Sequence, residues 1–280
     1  MNLLKYICLM AVAVLFASCS KKSIIEDNND ETTGLTLVAT ITNATHKIAL
    51  YTETGTLQQG YNKIFLQIKN NDGGTENDAS VSWKPIMNMM SMQHSCPYSP
   101  VTKVAGKRSL YEGFVVFTMA GNDTEYWDLG FDYTIGGNTY SAGGKINVTA
   151  PAKRNIVSFK GNDDVNYIIA LVTPTHPKVA VNDMQAMLFR MQDMMTFPVV
   201  DGYTIKIDPR MPGMGNHSSP NNTDLKQNSP DKIYQGKLSL TMTGYWKINL
   251  QLENQVGTLL KGEPVTAENE NSSIYFEIEF

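Results

Sequence analysis

Tyr111-Glu-Gly-Phe-Val-Val-Phe-Thr-Met-Ala-Gly121 returns as Tyr234-Gln-Gly-Lys-Leu-Ser-Leu-Thr-Met-Thr-Gly244. The two stretches share the tyrosine, the glycine two residues on, Thr-Met and the closing glycine, all at one constant offset. His94 and His217 keep that same offset, and Ile48-Ala-Leu-Tyr-Thr52 has its counterpart in Ile169-Ala-Leu-Val-Thr173. Tyr126-Trp127 matches Tyr245-Trp246 after a four-residue deletion. Agreement over so many positions is the signature of a tandem duplication, with Pro151-Ala-Lys-Arg154 as the junction.

Each repeat reads as sheet. Alternating and β-branched runs bounded by Gly, Asn, Asp and Pro dominate, and helix signals are scarce. In the first repeat the candidate strands are Leu35–Thr42, Lys47–Thr52, Tyr61–Lys69, Ser80–Trp83, Gly113–Met119, Tyr126–Tyr133 and Gly144–Val148. Their number and spacing are those of an immunoglobulin-like sandwich. The expected fold is therefore all-β, with two tandem immunoglobulin-like β-sandwich domains over 35–150 and 155–280. Trp127 and Trp246 are expected to fill the cores between sheets, and Met184, Met187 and Met191 to pack in irregular gaps.

The first residues have a different character. Lys5 precedes a short apolar run, Ile7 to Phe16, that is too brief to span a bilayer. Phe16-Ala-Ser-Cys19 follows, resembling a bacterial lipobox with Phe16 where leucine is more usual. That resemblance implies a signal peptide over 1–18 and lipidation of Cys19, so a protein anchored to a membrane by lipid and facing the periplasm or the cell surface. Ser20 to Thr33 is polar and acidic without periodicity, so 19–34 is expected to be a flexible tether.

The formal net charge is −4 over 280 residues, and no basic stripe stands ready to neutralise phosphates. Nucleic acid is thus not an expected partner. No nucleophile elbow, His-Glu-x-x-His, phosphate-binding glycine loop or Cys-x-x-Cys occurs in the sequence, and no enzyme is expected. If Cys8 leaves with the signal and Cys19 carries lipid, Cys96 has no partner for an intramolecular disulfide. It is either buried and inert or an accessible thiol beside His94; its counterpart in the second repeat is Ser219.

Methionine carries the chemical interest. The chain has 15, four of them in Met87-Asn-Met-Met-Ser-Met92. Met87 and Met90 precede His94, and Met211 and Met214 precede His217 with the same Met-x-x-Met spacing. Thioether sulfur is a soft ligand suited to Cu(I), and imidazole serves copper in both oxidation states. Met87, Met90 and His94 could form one cuprous site and Met211, Met214 and His217 a second, with Met92 and Cys96 as substitutes in the first. Two other readings stand beside it: methionines packed on the sandwich edge, or an adaptable contact surface for an envelope protein partner. His46 and His176 have weaker claims as ligands, His176 as a turn residue in Thr173-Pro-Thr-His-Pro177.

Pro209-Arg-Met211-Pro-Gly-Met214-Gly-Asn-His217, followed by Tyr234-Gln-Gly236 and Thr241-Met-Thr-Gly-Tyr-Trp246, resembles the YtkA-like domain, which is related to FixH-type proteins. The likeness spans about Tyr167 to Leu252, and again about His46 to Tyr133. In the first repeat Met89 replaces a glycine, His94 lies one residue further from its methionine pair, and four residues intervene before Trp127. The resemblance implies small extracytoplasmic β-sandwich modules associated with copper handling, oxidase assembly or metal efflux. As a whole the chain resembles a lipoprotein of Bacteroidota type carrying two such domains.

Overall fold

The computed structural model describes residues 30–227 and 231–280; the expected signal peptide, the lipidation site at Cys19 and most of the expected tether lie outside them. From Gly34 to Phe280 the chain is one compact unit. Its first half runs through β1 (Thr36–Thr42), β2 (His46–Thr52), β3 (Leu57–Gln58), β4 (Gly60–Asn70), β5 (Ser80–Asn88), β6 (Gln93–His94), β7 (Thr102–Lys103), β8 (Tyr111–Phe117), β9 (Tyr126–Ile135), β10 (Asn138–Ile146) and β11 (Val148–Thr149). The second half runs through β12 (Ile156–Lys160), β13 (Asn166–Thr173), β14 (Ala180–Arg190), β15 (Thr204–Met211), β16 (His217–Ser218), β17 (Thr223–Gln227), β18 (Tyr234–Leu240), β19 (Tyr245–Glu253), β20 (Leu259–Lys261) and β21 (Tyr275–Glu279). Among the described residues the single helical element is a 3-10 turn at Pro212–Met214, and no helix is long and apolar enough to cross a membrane.

In the first half, β1-β2-β4-β8-β7 form one sheet and β10-β9-β5-β6 the other. Leaving β1 aside, the order β2-β4-β8-β7 against β10-β9-β5 is the ABED and GFC arrangement of an immunoglobulin domain, in the same chain order. The second half repeats the strand order, β12-β13-β14-β18-β17 and then β16-β15-β19, with β20 and β21 both pairing β19. Here, however, the pairing of Ile205 with Leu225 joins β17 to β15, so that the two layers form one continuous sheet. The fold is all-β and immunoglobulin-like, as the strand spacing predicted.

Strand β5 runs further than its sequence suggested. The candidate strand ended at Trp83, two residues before Pro85, yet pairing with β9 continues through Pro85↔Leu129 to Asn88↔Tyr126. A proline is tolerated there because β6 covers only Met87 and Asn88 on the outer side, so no ladder partner requires an N–H at Pro85. Pro209 occupies the same kind of position in β15, opposite Ile248.

Two features of the duplicated stretch explain themselves structurally. Each tyrosine of the repeated Tyr-x-Gly is buried, with its hydroxyl tying the backbone of a crossing segment. Tyr111 donates to the Asn77 carbonyl at 3.1 Å and accepts from Ala79 N–H at 2.8 Å. Tyr234 donates to the Val200 carbonyl at 2.8 Å and accepts from Tyr203 N–H at 3.2 Å. Burial raises the Tyr234 hydroxyl well above its ordinary pKa. Each glycine lies under the neighbouring edge segment, where a side chain has no room.

Each half has its own core, one centred on Trp127, Phe117 and Leu66 and the other on Trp246, Phe276 and Leu188. A third cluster belongs to both: Val116, with Tyr61 and Phe114 beside it, packs against Ile156, Ile168, Ala170, Met187 and Phe189. The outer face of β4 and β8 is thus buried against the outer face of β13 and β14. The segment at the junction is held as well. Arg154 N–H donates to the Glu277 carboxylate at 3.0 Å, Lys153 pairs with Glu279 at 2.5 Å, and the Arg154 guanidinium lies over the Tyr275 ring.

Candidate metal-binding hairpins

The two methionine/histidine stretches fold as hairpins at equivalent places. In the first, β5 turns into β6 with Met87 directly opposite His94 and Asn88 opposite Gln93. In the second, β15 turns into β16 with Arg210 opposite Ser218 and Met211 opposite His217. Directly opposed residues on antiparallel strands present their side chains to one face, with Cβ atoms roughly 4.5–5.5 Å apart. Strand pairing therefore brings one methionine and the histidine together in each repeat. It also absorbs the one-residue difference in spacing, which falls within the connecting turn.

The turns differ in build. In the first, Met89 N–H donates to the Met92 carbonyl at 3.0 Å, so the tip is Met90-Ser91. Pro212, Gly213 and Met214 make the single 3-10 turn of the second, after which Gly215 and Asn216 take positive φ of 63° and 59°. Glycine meets that demand without a Cβ penalty, and asparagine at small cost. Asn216 is further secured by donating to the Glu270 carbonyl at 3.0 Å, while Arg210 forks onto the Asp208 carboxylate.

The sequence reading treated the two methionines of each pair alike, as joint ligands, joint packing residues or a joint contact surface. The structure divides them. Met87 is wholly buried and Met211 nearly so, because each is the last inward residue of its strand and sits in the sandwich core. Met90 at 87% and Met214 at 57% exposure stand out from the turns. The Met211 methyl reaches to 3.2 Å from where Gly244 would carry a Cβ, so the repeated glycine before the tryptophan leaves room for that thioether.

The histidines also differ. His94 is half-buried, its ring edge-on to Trp127 at 5.6 Å and 89°. Its Nδ1 lies 2.7 Å from the Ser95 carbonyl, and a carbonyl only accepts, so Nδ1 carries the proton there. In that tautomer the lone pair is on Nε2, one of the two ring nitrogens through which imidazole binds metals. His217 is exposed at the hairpin edge. His46, buried in β2, meets the Thr45 hydroxyl at 2.9 Å and the Tyr133 hydroxyl at 3.1 Å, so its Nδ1 is engaged in a local network. His176 is exposed with Nδ1 on the Thr175 carbonyl.

Of the two readings left open for Cys96, burial decides. The side chain is fully enclosed in the first core, and burial raises its thiol well above the ordinary value. A thiol needs exposure and a lowered pKa to be reactive. A thiol reagent applied to protein with Cys8 and Cys19 replaced by serine should label Cys96 only in denaturant; prompt labelling of the native protein would contradict the burial. Among the described residues no group of three or more His, Cys, Asp or Glu side chains converges.

The expected packing roles hold for Trp127, Trp246, Met184 and Met187, all buried. Each tryptophan donates its Nε1–H to the carbonyl of a repeated methionine, Trp127 to Met119 at 2.9 Å and Trp246 to Met242 at 3.0 Å. Sequence reasoning passed over Met194 and placed Met191 with the packing methionines. Both belong to a loop that reaches the first hairpin, with Ser95 N–H donating to the Met194 carbonyl at 2.9 Å. The signal available was the Met191-Gln-Asp-Met-Met195 cluster, which has no counterpart in the first repeat.

No family model matches the chain, and no curated protein does. Among solved structures it is similar to a DUF4785 family protein of Legionella pneumophila, with 11% identity and a TM-score of 0.25, over 77% of this chain and 55% of that one. The chain thus spans about half the length of that protein. A conserved domain protein of Bacillus anthracis shares 10% identity over 90% of this chain and 93% of its own, with a TM-score of 0.28. A titin fragment shares 9% over 72% and 87%, with a TM-score of 0.19. The immunoglobulin-like assignment stands on the strand order and register described above.

Proposed function

We propose that this chain is a non-catalytic lipoprotein of the cell envelope, anchored through Cys19, that binds Cu(I) at its two hairpins for storage, delivery or resistance. The observation that carries the reading is the cross-strand methionine–histidine pair, found at the same place in both sandwiches. Met211, Met214 and His217 would hold one ion, and Met87, Met90 and His94 the other. In each set the strand methionine supplies sulfur from the apolar side and the turn methionine closes from solvent. Two thioethers and an imidazole form a soft, neutral donor set, which favours a cuprous ion over calcium or magnesium. The resemblance of both repeats to the YtkA-like domain supports the same reading, as do the small residues before Cys19 for the anchor.

A second reading is favoured by the exposure of Met90, Met92 and Met214: the same turns would be contact surfaces for an envelope protein partner, where methionine adapts to the opposing shape. Cu(I) titration against a colorimetric chelator under reducing conditions separates the two. Met211→Leu/Met214→Leu should lose one copper equivalent if sulfur is the ligand. Undiminished binding by that double variant would remove the second hairpin from the copper reading. If the unaltered protein leaves all copper with the chelator, the contact-surface reading takes its place.

A further inference from the structure

The loop after β14 in the second sandwich folds against β6 of the first, held by the Ser95 to Met194 backbone bond. It is braced internally: Gln192 N–H donates to the Thr196 carbonyl at 3.0 Å, and Met195 N–H to the Asp193 carboxylate at 2.7 Å. Between loop and strand opens a cleft of about 390 Å³, and His94, Met191 and Met194 all line it. Phe159, Tyr167 and Phe197 supply much of its remaining wall. No carboxylate and no cysteine face the cleft, and the charge of its one lysine, Lys160, is paired with Asp164 at 2.7 Å.

This arrangement changes the natural partners of His94. Its opposed methionine, Met87, is sealed in the core, and Met90 projects into solvent. The thioethers that share a cavity with its imidazole come from the other sandwich. With Nδ1 committed to the Ser95 carbonyl, the lone pair available to a ligand is on Nε2. The cleft wall mixes Phe159, Ile168 and Phe197 with the polar Thr118, Ser158 and Asn166, and the imidazole and two thioethers on offer are donors that a soft monovalent ion takes.

We infer that His94, Met191 and Met194 form a Cu(I) site between the two sandwiches, so that the first hairpin binds metal with ligands from both repeats while the second uses its own. The inference rests on the copper reading above and changes the ligands of its first site, with Met191 and Met194 taking the places of Met87 and Met90 beside His94. Because the ligands come from both halves, a bound ion also ties the sandwiches together, and anything that binds the native state alone raises its apparent stability. The backbone bond between Ser95 and Met194 is untouched by a side-chain exchange, so methionine-to-leucine variants keep the loop and remove only sulfur.

The experiment is anaerobic Cu(I) competition against a chromogenic chelator with the full chain in mild detergent. The variants are Met191→Leu/Met194→Leu, Met211→Leu/Met214→Leu and, as a control outside the cleft, Met195→Leu. The first should lose one equivalent, or bind it at least about tenfold more weakly. The second should lose a different equivalent, and the control none. X-ray absorption of copper on Met211→Leu/Met214→Leu, where one site remains, should show two sulfur and one nitrogen neighbours. If the unaltered protein binds copper and Met191→Leu/Met194→Leu binds it equally well, the shared site is wrong and the hairpin reading survives. Failure of the unaltered protein to bind overturns both. An absorption shell without nitrogen, or with a single sulfur, also overturns the shared site.

Discussion

Replacing Trp246 with alanine should destabilise the second sandwich by about 3–5 kcal/mol, the range for emptying a large aromatic site in a packed core. The side chain is fully enclosed among Ile248, Leu238, Met211 and Phe276. Its removal forfeits apolar burial, leaves a cavity that two hydrogen-bonded sheets cannot collapse to fill, and strands the Met242 carbonyl that its Nε1–H satisfied. Folded domains hold only about 5–15 kcal/mol in reserve, so the variant should melt on the order of 10 °C lower. Trp246→Phe keeps most of the volume and loses the donor, and should fall between the two. Chemical denaturation followed by circular dichroism measures the series. A loss below about 1 kcal/mol for the alanine variant would mean that the tryptophan does not fill the core as described.

Gly236→Ala should be the most damaging single methyl group that can be added to the duplicated stretch. Its Cβ would stand 2.5 Å from the Thr223 carbonyl oxygen and 2.9 Å from that of Asp224, both backbone atoms of β17 where it pairs with β18 through a bulge. Backbone cannot rotate aside as a side chain can, so β17 must move away, and with it the Thr223 hydroxyl that accepts Lys237 N–H. Overpacking of this kind costs about 1–3 kcal/mol, occasionally more. The equivalent change, Gly113→Ala, first meets the Trp83 ring at 2.6 Å and the Ser99 hydroxyl at 3.0 Å, and backbone only at the Pro100 carbonyl oxygen, 3.1 Å away, so its clash with backbone is looser than that of Gly236. The expected order of loss is therefore Gly236→Ala above Gly113→Ala. Thermal melts of both variants decide it, and the opposite order would show that β17 yields more readily than the tryptophan does.

Both predictions concern residues that the sequence already marked, and the reason it could do so is physical. A duplicated module must meet the same local demands twice. The Tyr-x-Gly pair survives in both copies because a hydroxyl must tie one neighbouring backbone segment while a missing Cβ makes room for another neighbour. That neighbour is β17 in the second copy and the Trp83 ring with Ser99 and Pro100 in the first. The tryptophans recur because each sandwich needs a large filler between its sheets. Strand spacing and alternation report which face of a strand is buried, and that is enough to assign an immunoglobulin-like all-β fold.

The candidate site was legible in part. Met-x-x-Met followed by histidine located both hairpins, but residue type and spacing do not reveal which methionine turns inward. That was decided by how far β5 and β15 extend past their prolines, which depends on whether a neighbouring strand requires the missing N–H. Pairing with β9 and β19 carries both strands through to Met87 and Met211, and burial in the cores follows.

Contact between the repeats left only a faint mark in the sequence. Phe114-Val-Val-Phe117 and Ile168-Ile-Ala-Leu-Val172 are continuous apolar runs where a strand with one solvated face would alternate, and such runs signal burial on both sides. They show that something covers the outer face without saying what. By itself, the sequence determined the duplication, the sandwich type, the core tryptophans and the place of the two methionine/histidine stretches, because each follows from periodicity, repetition or a local steric demand. Only the tertiary structure decided that the outer sheets of the two repeats pack together through Val116, Ile168 and Phe189, and that Met191 and Met194 share a cleft with His94. Those are encounters between residues far apart along the chain, fixed by shape and burial rather than by any local pattern.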